Sequence, residues 1–178
     1  MAERTTPTTR IGVAIDVPEP WGLELTRRRG AAGDRQAAYV PAHVTLLGPT
    51  EVDTDLLPEV ERHLEKVASA QQPFTIHLRG TGTFRPITEV VFVTLAVGIS
   101  ECELLAEAIA AAQGVRPDPR FPYHPHVTVA QDVPPEALDA VFDELSGFSA
   151  RFDVGSFTLF SHGGEGPWRR RRDFPLGS

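Results

Sequence analysis

One tetrad occurs twice in this chain, as PAHVTLLGP at 41–49 and as HPHVTVAQ at 124–131. The chain has only six histidines, and His43 and His126 stand 83 residues apart, close to half of its 178 residues. Each His-Val-Thr-aliphatic stretch is β-branched and follows a proline-bearing loop, which predicts a short strand. On a strand, residues i and i+2 share a face. His43 and Thr45 then point one way, and Val44 and Leu46 the other. His126 and Thr128 stand against Val127 and Val129 in the same manner. Each tetrad is an apolar anchor toward a core and an imidazole plus a hydroxyl toward a cleft.

The flanking sequence repeats this plan. Arg10–Val17 alternates as a strand and stops at Pro18 and Pro20. Trp21–Arg29 predicts a short helix ending at Gly30, and Ala31–Ala38 a loop. The first tetrad strand, Val44–Leu47, is closed by Gly48-Pro49. Leu56, Leu57, Val60, Leu64 and Val67 recur at helical spacing up to Ala70, and Phe74–Leu78 and Val90–Val97 read as strands. Ser100 with Glu103 has the spacing of a capping box and opens a helix that ends at Gly114. After the second tetrad, Pro134-Pro135 starts a helix ended by Gly147. Strands follow near Phe148–Val154, Ser156–Phe160 and Trp168–Phe174. Strand, helix or loop, tetrad, helix, strand thus runs twice, with the Phe74 strand corresponding to the Phe148 strand. The expectation is one domain over residues 1–178, built of two pseudo-repeated lobes with motifs at 43–46 and 126–129.

Two imidazoles and two hydroxyls facing one cleft suit phosphodiester chemistry. In-line displacement at phosphorus places a base beside the attacking oxygen and an acid beside the leaving one. Histidine, with an ordinary pKa of about 6.5, serves as either near neutral pH. Threonine hydroxyls can donate to the non-bridging oxygens. No metal or cofactor is needed. His124 and His126 form an H-x-H pair, but Pro125 breaks the alternation and no Asp, Glu or Cys recurs at ligand spacing beside His43.

The paired motifs resemble the H-x-T/S-x tetrads of the two-histidine (2H) phosphoesterase superfamily, in its 2′-5′ RNA ligase-like and cyclic phosphodiesterase branch. The resemblance takes in nearly the whole chain, including Gly82-Thr83-Phe84, the strand VVFVTLAV and Phe157–Phe160. It implies an α+β, bilobal fold: two antiparallel sheets with outer helices, related by a pseudo-twofold, with the active cleft between lobes. It implies His43 and His126 as catalytic residues and Thr45 and Thr128 as phosphate-binding ones, leaving open which histidine is base and which acid. The activities it implies are hydrolysis of a cyclic phosphate on a nucleotide or RNA end, or reversible 2′-5′ ligation of RNA. Ligase-type members often carry an arginine just after the second motif, where this chain has Gln131. A glutamine offers no bidentate cationic fork, which favours hydrolysis over ligation. The run Arg169–Arg172 could compensate. A binding module without catalysis is the reading from another class, though binding alone needs no pair of proton-transfer groups.

Further residues are assigned from the sequence with less chemistry behind them. Tyr39, Phe84 and Tyr123 are candidates for stacking on a base, with core packing the better reading of Phe84. Gln131 and Arg169 complete the possible substrate rim, in segments 31–40, 116–123 and 161–168. Cys102 sits among apolar residues and reads as core. His63 is expected on the solvent side of its helix, His77 on the outer face of its strand, and His162 at a loop or rim. The net charge of −7 argues against extended binding to DNA or long RNA. A small cyclic-phosphate nucleotide or an RNA 3′ end is the expected partner. The polar stretch 2–10 and the lack of a long apolar run predict a cytoplasmic protein with no membrane span.

Overall fold

The computed structural model describes residues 5–177, so the beginning of the polar stretch 2–10 lies outside the described residues. The alternating apolar residues Ile11, Val13 and Ile15 form the buried face of strand β1 (Thr8–Asp16). Helix α1 (Trp21–Ala31) follows. A short 3-10 turn at Arg35–Ala38 then occupies part of the stretch read as a loop, with Asp34 accepting from the Gln36 N–H at 2.9 Å to cap it. The first tetrad lies on β2 (His43–Asp53), and a 3-10 turn at Thr54–Leu56 leads into α2 (Leu57–Ala70). Next come β3 (Phe74–Thr83), β4 (Val90–Val97) and α3 (Ile99–Ala110). The second tetrad is on β5 (His126–Gln131), followed by α4 (Pro135–Glu144), β6 (Ser149–Val154), β7 (Ser156–His162) and β8 (Arg169–Pro175).

The strands form two antiparallel four-stranded sheets, ordered β2-β1-β7-β8 and β5-β4-β3-β6. This is the expected α+β architecture of two sheets with helices. Each tetrad strand is an edge, and its inner neighbour is the strand one helix before it. The helices cross over: α1 packs on β5 and α3 on β2. The sequential repeat is corrected on one point. It matched the Phe74 strand with the Phe148 strand, yet β3 and β6 are neighbours in the same sheet, with Ile76 opposite Phe152 and Leu78 opposite Ala150. These four residues are buried, so the matching of two apolar faces sets the pairing, and β3 leaves its own half of the chain to make it.

Three local readings also change. Gly48-Pro49 does not end the strand. The β1–β2 register slips between Ile11 and Val13, so these two residues sit in a bulge on an edge strand, where proline's missing N–H is tolerated. The Ser100/Glu103 capping box is not formed. Instead α3 starts behind Gly98, whose φ of 98° and close packing exclude a side chain: a Cβ there would lie 2.8 Å from the Thr75 carbonyl oxygen. His63 does not face solvent, because α2 packs on α3 and its Nε2 lies 2.7 Å from the Ala108 carbonyl oxygen. His77 meets Ser149 Oγ at 2.9 Å, opposite the buried face of Ile76 and Leu78. Cys102 is fully buried, and burial pushes its thiol up to about 12, so it belongs to the core. Among the described residues no helix is long and apolar enough to cross a membrane.

Candidate active site

The alternation of the tetrads is what aims their side chains. Val44, Leu46, Val127 and Val129 are buried in the core, while His43, Thr45, His126 and Thr128 are half-buried on the other face of their strands. All four polar residues line one cavity of about 780 Å³, a size that takes a small-molecule ligand. The inner strands make the two sides of this cavity unlike. Opposite His43 and Thr45 on β1 stand Asp16 and Ala14, and opposite His126 and Thr128 on β4 stand Thr94 and Phe92. The small residues Gly12 and Ala14 leave room on the first side, and the cavity extends there toward α1.

Both imidazoles are fixed in the same way. His43 Nδ1 lies 2.8 Å from the Pro41 carbonyl oxygen, and His126 Nδ1 lies 2.6 Å from that of His124. A carbonyl only accepts, so each Nδ1 carries the proton and donates it. In the neutral ring Nε2 is left with its lone pair for the cavity. The surroundings then separate the two. His126 is walled by Phe84, edge-on at 5.0 Å and 90°, and by Phe92 at 5.2 Å. Burial lowers its pKa to about 4, against the opposing hydrogen bond to His124, with the nearby His124 and His43 lowering it further. His43 is also lowered, chiefly by burial. Its bond to Pro41 raises it, Arg29 lowers it and Asp16 raises it. One oxygen of Asp16, Oδ1, is buried without a hydrogen-bond partner among the described residues, while Oδ2 accepts from Arg170 Nη2 at 2.5 Å.

The expected rim is only partly where the sequence reading put it. Gln131 lines the cavity. Tyr39, Phe84, Tyr123 and Arg169 do not. Phe84 packs on Phe92 at 4.5 Å and against both His124 and His126, so it supports the second imidazole. The Tyr123 hydroxyl donates to the Thr45 carbonyl oxygen at 2.8 Å, tying the second motif's loop to the first motif's strand, and its ring is half-buried. Tyr39 is exposed beside a neighbouring groove shared with His162 and Trp168. The arginine run is largely spent on carboxylates: Arg170 pairs with Asp16 and Asp173, Arg171 with Glu61 and Arg172 with Glu65. Arg169 is exposed, does not line this cavity and has no ion pair among the described residues. The sequence reading missed Arg29, which is buried and lines the cavity; it placed segment 161–168 on the rim without singling out Trp168, the aromatic of the wall. Trp168 is held by His162 at 4.9 Å; that ring accepts from the Gly164 N–H and donates to the Gly166 carbonyl, folding the glycine-rich loop around it. Among the described residues no three His, Cys, Asp or Glu side chains cluster as metal ligands.

Known proteins are similar to this chain in sequence and in fold. Residues 17–166 match the family described as the 2′-5′ RNA ligase superfamily. A Bacillus licheniformis protein named "Putative phosphoesterase" is 30% identical over 148 residues, spanning 82% of this chain and 86% of the relative. A protein of the same name from Oceanobacillus iheyensis is 26% identical over 146 residues, spanning 81% and 85%. Among solved structures, E. coli LigT complexed with 3′-AMP superposes with a TM-score of 0.61 at 23% identity, covering 97% of this chain and all of that one. A Thermus thermophilus protein superposes with a TM-score of 0.65 at 24% identity, covering 95% and 98%. At these identities the two superpositions establish a shared fold.

Proposed function

The chain belongs to the 2′-5′ RNA ligase superfamily of 2H phosphoesterases, and on that premise we propose that it hydrolyses a cyclic phosphate on a nucleotide or RNA end without a metal. The observation that carries this reading is the pair of imidazoles in one cavity. Each is locked through Nδ1 to the carbonyl two residues before it, and each has a threonine hydroxyl beside it. Water attacks phosphorus as one histidine takes its proton. The ring P–O bond breaks as the other histidine protonates the leaving ribose oxygen. Thr45 and Thr128 donate to the non-bridging oxygens.

The unlike surroundings support a division of the two roles. His126, kept neutral by burial against aromatic walls, is the base. His43 is lowered as well, chiefly by burial, but the Pro41 carbonyl and the Asp16 carboxylate both work toward a protonated ring, and we take it as the acid. The Trp168 face gives a base a stacking surface on the same cavity wall. E. coli LigT is known in complexes with 3′-AMP and with phosphate, ligands of the kind a ring-opened nucleotide and its phosphate would be. Ligation would have drawn on the cationic run after Trp168, and three of its four arginines are paired with carboxylates.

The test is chromatography of 2′,3′-cyclic nucleotides incubated with the protein and excess chelator, beside His43→Ala and His126→Ala. Loss of either proton-transfer group is expected to cost roughly 10²–10⁴-fold in turnover with the melting temperature kept near wild type. Ring opening at wild-type rates by either variant would sink the two-histidine mechanism.

A further inference from the structure

We infer that Arg29 is the cation that grips the reacting phosphate, aimed by Asp34; the inference rests on the phosphoesterase reading above. Three arginines stand in a row at the end of α1, and the 100° step of a helix sends them apart. Arg28 reaches outward to Glu144 at 3.2 Å in an exposed pair, and Arg27 lines a groove on the outer side. Arg29 turns inward, is 7% exposed and lines the cavity that holds both tetrads.

A buried guanidinium is costly unless its charge is answered. Here the answer is incomplete. Nε donates to Asp34 Oδ2 at 2.7 Å, and neither Nη nitrogen has an acceptor among the described residues. The Nη atoms are not sealed in, since Asp16 Oδ1 alone is a fully enclosed side-chain atom lacking a partner among those residues. They are donors open to the cavity. Asp34 is itself held, 5% exposed, with its other oxygen capping the 3-10 turn through the Gln36 N–H. It therefore fixes the plane of the guanidinium and leaves the Nη1/Nη2 edge free. That edge is the bidentate fork that suits two phosphate oxygens.

The site needs such a cation. A cyclic phosphodiester carries one negative charge on its non-bridging oxygens, and attack by water adds to it. Thr45, Thr128 and Gln131 offer only neutral donors, and Arg170, Arg171 and Arg172 are engaged by carboxylates; Arg35 also lines the cavity but is exposed to solvent, which screens its charge, whereas Arg29 is buried. Arg29 and His43 line the same cavity, and the guanidinium charge acts to lower the pKa of the His43 ring. The cation that Gln131 does not supply after the second motif is delivered from the first half of the chain by α1.

The experiment compares wild type, Arg29→Gln, the neutral pair Arg29→Gln/Asp34→Asn, and Arg28→Gln as an outward control. Each is assayed with adenosine 2′,3′-cyclic phosphate, with the same nucleotide carrying a 5′-phosphate, and by calorimetric titration with inorganic phosphate. The double variant guards against misfolding from an unpaired Asp34, and its thermal melt should match wild type. Both Arg29 variants should lose roughly 10- to 100-fold in kcat/KM on both nucleotides and comparably in phosphate affinity, the range of a charge-assisted hydrogen bond. Arg28→Gln should match wild type. A loss confined to the 5′-phosphorylated nucleotide would place Arg29 on a second phosphate and overturn the inference. Recovery of phosphate affinity by the folded double variant would do the same, making the pair merely structural. If wild type opens neither ring, the phosphoesterase reading fails and the titration still decides on Arg29. Phosphate binding lost with Arg29 upholds the clamp, and binding that is absent in wild type or equal in the variants overturns it.

Discussion

At the scale of single residues, the two histidines are equal in motif and unequal in surroundings. His126 is the more strongly perturbed, lowered to about 4 by burial against Phe84 and Phe92. In the unfolded chain its pKa is about 6.5, so between these values the unfolded state binds the extra proton. Stability is therefore complete above pH ~6.5 and falls as the pH drops toward ~4, by roughly 3 kcal/mol from this residue at about 1.4 kcal/mol per pH unit. His43 adds to the loss in the same direction. Urea unfolding at a series of pH values should show this fall in wild type and a shallower one in His126→Gln. An identical pH dependence in both would mean that the ring is not held neutral. The placement of the four tetrad side chains on one cavity was legible in the sequence, because a strand's alternation converts His-x-Thr directly into two side chains on one face. Arg29 was not. Whether the third arginine of a helical row faces a cavity or water depends on where α1 lands, and it lands on β5 of the other sheet.

At the scale of elements, the site is an alignment of two edge strands, and the loop before β5 helps to hold it. Tyr123, read from sequence as a stacking aromatic, spends its hydroxyl on the Thr45 carbonyl of β2. A hydroxyl 78 residues away in the chain cannot be assigned to a backbone oxygen by pattern. Nor does pattern show that Gly48-Pro49 occupies a bulge, since the same dipeptide ends a strand whenever an inner neighbour needs its N–H. Strand and helix identities were more legible, because apolar periodicity is local. Tyr123→Phe removes one hydrogen bond and leaves the ring in place. It should cost about 1 kcal/mol of stability in a thermal melt. Turnover should fall further than that loss would suggest, roughly tenfold for a displacement of Thr45 within the site. Unchanged kcat in a variant of lowered stability would show that the contact supports the fold without setting the geometry of β2.

At the scale of the whole molecule, the cleft is built by exchange between the halves of the chain. The first-half strand β3 completes the second sheet, and β7 and β8 from the second half complete the first. Helix α1 lies on β5, and α3 on β2. Neither sheet can be lost without stripping apolar residues of the other, such as Ile76 and Leu78 on β3 or Leu159 on β7. We therefore propose that the two lobes unfold as one cooperative unit, and the two tryptophans allow this to be read separately. Trp21 packs on Phe152 of β6, in the second sheet, at 6.4 Å. Trp168 lies against Gly12 of β1, in the first, where a Cβ would come within 3.4 Å of its ring. Trp21→Phe leaves a reporter on one sheet, and Trp168→Phe leaves one on the other. Fluorescence and far-ultraviolet dichroism should share one urea midpoint within each variant, even where the substitution shifts that midpoint. A fluorescence midpoint that parts from the dichroism in either variant would mean that one lobe outlasts the other. The two histidines, one on each sheet, would then meet only as long as the weaker lobe stood, so the cooperativity of the fold bears directly on the chemistry of the cleft.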